Sequence, residues 1–308
     1  MSTQKIIPNI WCNRDAEEVG AYYASVFPGA TSRVEARYPE AGLLDFQLEF
    51  AGAPLTVDVE IPAPNGEAVT RFILINAGDE FHPNPSISFT LNFDPLMFGG
   101  DEAAARARLD LTWLALSDGG QVLMPLDEYP FSKRYGWVQD RFGVRWQLML
   151  TDPEGDPRPF IVPSLLFVGA AQNRAGEAGD FYASIFEDAQ VGNRYPYGQQ
   201  TGPATPEALM FSEFRIGSQW FAAMDSGVEM DADFSCGVSL EVQCADQEEI
   251  DRLWEALSAV PEAEQCGWLA DRFGVSWQIV PENMGELMER PNAYEHMMEM
   301  KKIVISDL

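Results

Sequence analysis

Gly136-Trp137-Val138-Gln139-Asp140-Arg141-Phe142-Gly143-Val144-Arg145-Trp146-Gln147 returns in the second half of the chain as Gly267-Trp268-Leu269-Ala270-Asp271-Arg272-Phe273-Gly274-Val275-Ser276-Trp277-Gln278, with three of twelve positions changed. An upstream pair keeps the same order: Ala21-Tyr22-Tyr23-Ala24-Ser25-Val26-Phe27 and Asp180-Phe181-Tyr182-Ala183-Ser184-Ile185-Phe186. Two matches in one order make the chain a tandem duplication. A length of 308 residues agrees with two domains.

Working outward, the helices repeat too. Val19, Tyr22, Tyr23, Val26 and Phe27 follow the spacing of an apolar helical stripe, as do Ala178, Phe181, Tyr182, Ile185 and Phe186. Asp15 with Glu18 reads as a capping box, and Pro28-Gly29 closes the helix. A second pair of stripes runs through Leu109, Thr112, Trp113 and Leu116, and through Ile250, Leu253, Trp254 and Leu257. The latter is opened by Asp246 and Glu249. Strand-like segments fill the gaps: Lys5–Trp11, Leu44–Phe50, Pro54–Glu60, Arg71–Asn76, Ile87–Phe93, Gln121–Met124, Tyr135–Val138 and Val144–Leu150. The second copy offers Phe160–Val168, Leu209–Ile216, Gln219–Met224, Gly237–Gln243 and Val275–Val280. Alternation in Phe46-Gln47-Leu48-Glu49-Phe50 predicts a half-buried strand. The order predicts an α+β fold with helices on one face of a mixed sheet. The first copy is 28 residues longer between Tyr23 and Trp137 than the second between Tyr182 and Trp268. That excess lies around 62–69 and 124–133. Pro and Gly in Thr151–Pro159 mark the linker. The predicted domains are 1–157 and 158–282, followed by a tail at 283–308 that is helical around Asn292–Lys302. The tail reads as a lid, a dimer contact or a clasp on its own domains, the clasp being favoured.

Composition narrows the function. There are 48 acidic and 20 basic residues, a net charge of −28, which repels nucleic acid and anionic membranes. The run from Met1 to Pro8 lacks a leader pattern, and no apolar run is long enough to span a bilayer. A cytoplasmic location with reduced thiols is therefore expected for Cys12, Cys236, Cys244 and Cys266. His82 and His296 are the only histidines, so histidine-built metal sites and histidine bases are nearly excluded by supply.

On these motifs the chain resembles the vicinal oxygen chelate superfamily of glyoxalase I, bleomycin-resistance proteins and extradiol dioxygenases. It most resembles the PhnB-like branch, whose domain carries a 3-demethylubiquinone methyltransferase label. The residues that carry the likeness are Asp15-Ala16-Glu17-Glu18 with Tyr22-Tyr23, the run from Cys266 to Pro281, and Met300-Lys301-Lys302-Ile303. The resemblance implies tandem glyoxalase-like domains. Each would be built of two βαβββ modules curled into a cup, with helices outside and the ligand inside. Metal-using relatives would place ligands at four inward strand positions, ending on a glutamate. Here the last position holds Gln147 or Gln278, the first lies near Pro8 or Asn9 and near Pro163 or Ser164, and the second-module position lies near Ser86 or Ser88 and near Gly237 or Ser239. Uncharged amides and hydroxyls rarely hold a divalent ion alone, so neither metal nor other cofactor is expected. No Gly-x-Gly turn of the dinucleotide kind supports the methyltransferase label.

The expected ligand-contacting residues are Gln147, Gln278, Trp11, Tyr135, Phe221 and Met224. Asp225 and Cys266 are the weak candidates for proton transfer or nucleophilic chemistry. For Gln147 and Gln278, ligand orientation and backbone satisfaction weigh equally. Cys266 reads more readily as a buried apolar filler than as a reactive thiol. Asp140 and Asp271 read as turn stabilisers, and Trp146 and Trp277 as core beneath the helices. The functional expectation is a cup binding an unknown small molecule, with or without turnover. The alternatives are a sequestering resistance-type binder and a degenerate scaffold for protein contacts. A homodimer is the one assembly considered.

Overall fold

The computed structural model describes residues 4–308, so the first three residues of the run read for a leader lie outside the described residues. Strand β1 (Ile6–Asn13), helix α1 (Ala16–Val26), β2 (Thr31–Arg37), β3 (Pro54–Pro62) and β4 (Val69–Ala77) form a first module. A second comprises β5 (Ile87–Phe93), α2 (Glu102–Ser117), β6 (Gln121–Tyr129), β7 (Ser132–Gln139) and β8 (Arg145–Leu150). The second copy repeats the plan with β9 (Ile161–Phe167), α3 (Ala175–Ile185), β10 (Ala189–Pro196), β11 (Leu209–Ile216) and β12 (Gln219–Asp225). Its last module has β13 (Val238–Cys244), α4 (Gln247–Leu257), β14 (Trp268–Ala270) and β15 (Ser276–Pro281), one strand fewer than its twin. Short helices α5 (Met284–Leu287) and α6 (Ala293–Glu299) make the tail. The fold is α+β, as the sequence predicts. No described helix is long and apolar enough to cross a membrane.

The strands form two mixed sheets, ordered β14-β15-β13-β1-β4-β3-β2 and β10-β11-β12-β9-β5-β8-β7-β6. Each sheet takes one module from each half. The expectation that each half closes its own cup is therefore corrected: the first sheet joins the first module to the last, and the second joins the middle two. The seams are antiparallel, with Asn9 opposite Ser239 and Ser88 opposite Ser164. The reason lies in the packing within each half. Its two modules meet through their helix-bearing faces: Phe72 packs edge-on against Phe89 at 4.9 Å, and Tyr23 and Phe27 each lie 5.4 Å from Trp146. With those faces buried, the seam-forming strand edges are left to pair with the other half.

Strand alternation sorts the two faces. Ile6, Ile10 and Cys12 enter the main core, whereas Ile7, Asn9 and Trp11 face the hollow side. Asp140 and Asp271 anchor this core. In the first copy the Asp140 carboxylate accepts from the Tyr23 hydroxyl at 2.8 Å, the Trp146 indole at 2.9 Å, and the backbone N–H groups of Phe142 and Val144. Asp271 repeats all four bonds with Tyr182, Trp277, Phe273 and Val275.

Three local expectations change. The segment over Leu44–Phe50 is not a strand but a 3-10 helix, Asp45–Phe50. Its period of three buries Gln47 and Phe50 and leaves Phe46 65% and Leu48 59% exposed. Strands β2 and β10 escaped the sequence reading because they are largely exposed edge strands with no apolar face. Asp15 makes no cap bond; the Asn76 amide oxygen accepts from Ala16 N instead, and Asp225 does the same for Ala175 N at the start of α3.

Candidate functional site

The hollow side of the first sheet gathers Asn9 and Trp11 from β1, Arg71 and Ile73 from β4, Asp58 from β3, Ser239 and Glu241 from β13, Trp268 from β14 and Gln278 from β15. Register fixes the neighbours: Gln278 lies beside both Trp268 and Glu241, and Asn9 beside Ser239 and Ile73. Asn9 is 1% exposed; its amide N–H donates to the Ile7 carbonyl at 3.1 Å, and its Oδ1 has no partner. Glu241 is 8% exposed and accepts from the Gln243 amide at 3.2 Å. Burial pushes its carboxyl above the usual carboxylate range, against the pull of Gln243, Arg71 and Asn9. The Arg71 guanidinium is itself tied to Asp58, which is 4% exposed. At the rim, Trp11 meets Trp268 at 6.2 Å and Phe81 at 5.1 Å, both edge to face.

The second cup satisfies most of its polar groups internally. Gln147 donates to Ser88 Oγ at 2.9 Å and accepts from the Tyr135 hydroxyl at 2.7 Å. Thr90 and Ser164 bond to each other, and Asn92 donates to the Pro159 carbonyl. Arg158 pairs with Glu213 through two nitrogens and lies 4.0 Å over the Trp220 ring. One buried donor, Trp137 Nε1, stays unmatched. The first cup departs at one telling point. Gln278 also donates to a serine, Ser239, at 3.0 Å, but Cys266 stands where Tyr135 would serve its Oε1.

The tail spans the open side of the first cup. Helix α6 sets Glu295 against Gly42 and Tyr294 beside Gln47 and Tyr38, all in the β2–β3 connection. Its far end sets Met298 against Cys266 at the start of β14, where Cys266 N and Gly267 N donate to the Met300 and Lys301 carbonyls. Those two regions are opposite edges of one curled sheet, so the helix bridges its mouth.

The predicted residues divide unexpectedly. Trp11 and Gln278 share the first cup, though they come from different copies, while Gln147, Tyr135 and Met224 share the second. Two expectations are overturned. Phe221 stacks on Phe214 at 5.1 Å in the core under α3, because alternation gives Ala222 and Met224 the hollow side. Asp225 lies on the same helix-facing side, accepting from Ala175 N and Leu209 N, so it is a structural clamp outside either cup. Cys266 sits beneath the tail with a left-handed backbone (φ 52°), and burial pushes its thiol up to about 11. Its labelling by a thiol reagent at pH 8 is expected to run roughly 10²-fold slower than that of a free cysteine, because the thiolate is the reactive form. Labelling as fast as a model thiol would contradict this placement. Glu241, Asp58 and Arg71 were missed. The available signal was Glu241 itself, a charge two positions from Ser239 in an otherwise apolar alternation.

Level with the four inward positions of metal-using relatives, the first cup has Asn9, Ile73, Ser239 and Gln278, and the second has Ser164, Ala222, Ser88 and Gln147. All eight are uncharged, a donor set that does not fit a divalent centre of that kind. Among the described residues no cluster of three or more His, Cys, Asp or Glu side chains is placed to hold a metal.

The raised carboxyl of Glu241 links stability to pH. A folded pKa above the unfolded one makes the protonated form the stabilised one. Its contribution is full below the ordinary glutamate range and is lost as pH rises through the folded value. Glu241→Gln is therefore expected to melt at least as high as the wild type at pH 7.5, with the difference shrinking towards pH 4.5. A variant that melts lower at the higher pH would reverse the assignment.

The 3-demethylubiquinone-9 3-methyltransferase family matches residues 4–149 and 159–280 of this chain. No curated protein matches it in sequence. Among solved structures, the PhnB protein of Bacillus cereus is 27% identical, over 48% of this chain and 100% of its own, with a TM-score of 0.37. A Pseudomonas aeruginosa protein is 21% identical over 48% of this chain and 98% of its own, with a TM-score of 0.35. Glyoxalase I from Zea mays is 11% identical over 96% of this chain and 95% of its own, with a TM-score of 0.51, a likeness of fold alone.

Proposed function

The chain belongs to the 3-demethylubiquinone-9 3-methyltransferase family, of PhnB type and glyoxalase-like fold, and from that premise we propose that it holds a small molecule in its first cup without a divalent metal. One observation carries the reading: Asn9 Oδ1, buried on the hollow face, has no partner. A buried acceptor left without a donor costs about 1–3 kcal/mol, a cost that a bound N–H or O–H group removes. The contrast between the cups supports the choice, because the second cup satisfies its glutamine through Tyr135 and Ser88. Uncharged residues at the four inward positions support binding without a metal. The family's methyltransferase name does not enter this reading. Mixed sheets of this kind lack the strand-to-helix crevice of a doubly wound nucleotide-binding fold.

The test is a thermal-shift screen of a mixed small-molecule library, repeated on Asn9→Leu and on Gln147→Leu. A hit that stabilises the wild type and loses at least tenfold in affinity with Asn9→Leu, but not with Gln147→Leu, is the expected outcome. Hits that follow Gln147 would move the site to the second cup. Stabilisation by a divalent chloride alone would replace the reading with a metal site.

A further inference from the structure

We propose that the first cup recognises an organic cation, an amine or amidinium carried on a flat ring, with Glu241 as its counter-charge and Asn9 Oδ1 and Gln278 Oε1 as N–H acceptors. The inference rests on the small-molecule reading above and names the ligand's chemistry.

Three features of the cup converge on a donor-rich, positively charged guest. The first is a surplus of acceptors. Asn9 Oδ1 is unpartnered and only 1% of the residue is exposed, while Gln278 Oε1 lacks the hydroxyl that Tyr135 supplies in the twin cup. The second is a shortage of positive charge. Glu241, Asp58 and Arg71 are the charged groups that face one another here, and Arg71 is committed to Asp58. Arg33 also approaches Asp58, at 3.7 Å, but from an exposed position on the outer strand. The Glu241 carboxyl has only neutral amide donors, from Gln243 and Asn9, for its four lone-pair sites. The third is the wall. Trp11 and Trp268 present edge-to-face indoles on the same concave surface, the setting in which a flat cation gains from ring quadrupoles. A net charge of −28 adds a long-range field that concentrates cations at the surface.

Beside the acidic pair, the orphaned Asn9 oxygen, on a residue of the hollow face, is an independent feature. The chemistry of binding balances simply. Burial works against the charged form of the Glu241 carboxyl, and Arg71, the cation that opposes this, is already paired with Asp58. An entering R–NH3+ offers that compensation. Where the Glu241 carboxyl carries a proton, its O–H bond breaks and that proton leaves to solvent, and the carboxylate accepts N–H bonds from the guest. The guest's positive charge is matched by the carboxylate that it stabilises. A neutral guest offers no such compensation, and an anion would face Glu241 and Asp58 together.

Isothermal titration of the full chain with matched probes tests this. Benzylamine and benzamidine are the cations, benzyl alcohol and benzamide their neutral counterparts, and benzoate the anion; magnesium, calcium and manganese chlorides form a separate arm. The expected result is at least tenfold tighter binding of a cation than of its neutral counterpart at pH 7.5, with no heat from benzoate. Titrations in buffers of different ionisation enthalpy should show up to one proton released per cation bound. Glu241→Gln, which keeps the side-chain shape, should cut the cation preference to about twofold and abolish the proton release. Equal or tighter binding of the neutral probes, a preference that survives Glu241→Gln, or a divalent ion displacing the cations would each overturn the inference. If a neutral library compound binds in an Asn9-dependent way while the cations do not, only the cation assignment falls. If neither library nor probes bind, both readings fall.

Discussion

Asp271→Ala is expected to destabilise the protein by about 4 kcal/mol, and Asp140→Ala by a similar amount. Each carboxylate takes four donors at once: a tyrosine hydroxyl from a helix, an indole from the last strand of its module, and two backbone N–H groups from the turn between them. Asp140 and Asp271 are each 1% exposed, so water cannot replace the lost acceptor. Leaving a buried donor unpaired costs about 1–3 kcal/mol, and here several are stranded together. Burial pushes both carboxyls upward, while the four bonds pull the other way. Tyr182→Phe alone should cost about 1 kcal/mol, and almost nothing once Asp271 is gone, since the two share one bond. Urea denaturation of the two single variants and the double variant checks this. Additive losses would mean that the carboxylate and the hydroxyl do not act as a unit. Because Tyr182 sits on α3 and Trp277 on β15, the loss should also show as a weakened union of the two modules in that half.

The sequence carried most of this core. The Asp-Arg-Phe-Gly turn, the Tyr23 and Tyr182 stripes and the placement of Trp146 and Trp277 under the helices all follow from periodicity read twice over. What it could not carry was the choice of seam. β5 and β13 are twin strands from a duplication, so either can offer β1 the same edge, and no local feature separates the pairings. That one ambiguity is why Trp11 and Gln278, from different copies, prove to be neighbours in a single cup. The exposed edges β2 and β10 were illegible for a different reason: without a buried face, a strand loses its period-two signature. At Leu44–Phe50 the signature was present and misleading, since a 3-10 helix buried the third residue and not the second. Phe221 and Asp225 were assigned to the wrong face of a correctly placed strand, an error of one residue in phase. Glu241 follows from the same alternation once Ser239 is known to face the cup. The orphaned state of Asn9 depends on neighbours brought in from the other half, and no sequence pattern encodes it.

Cutting the chain in its linker provides the sharpest test of the crossed seams. A protease site placed at Glu154-Gly155-Asp156, an exposed stretch, should be cleaved without loss of the native particle. The two fragments are expected to elute together at the size of the intact 34.3 kDa chain, even at nanomolar concentration. Each sheet is continuous across the cut: five residue pairs join β1 to β13 and five join β5 to β9. Parting the fragments would strand the backbone groups of both seams, each a buried donor or acceptor that must be paired. Side chains reinforce the union of the two halves, with Gln219 bonding both backbone groups of Ile6, Lys5 pairing with Glu249, and Trp11 meeting Trp268. A chain whose halves each closed their own cup would instead separate on dilution, and separation is the outcome that would defeat this topology. The cut also bears on the site. Neither fragment alone owns a complete cup, because Asn9 and Trp11 lie on one and Glu241, Trp268 and Gln278 on the other. Binding in the first cup should therefore survive cleavage, vanish when the fragments are separated in urea, and return only when they are refolded together.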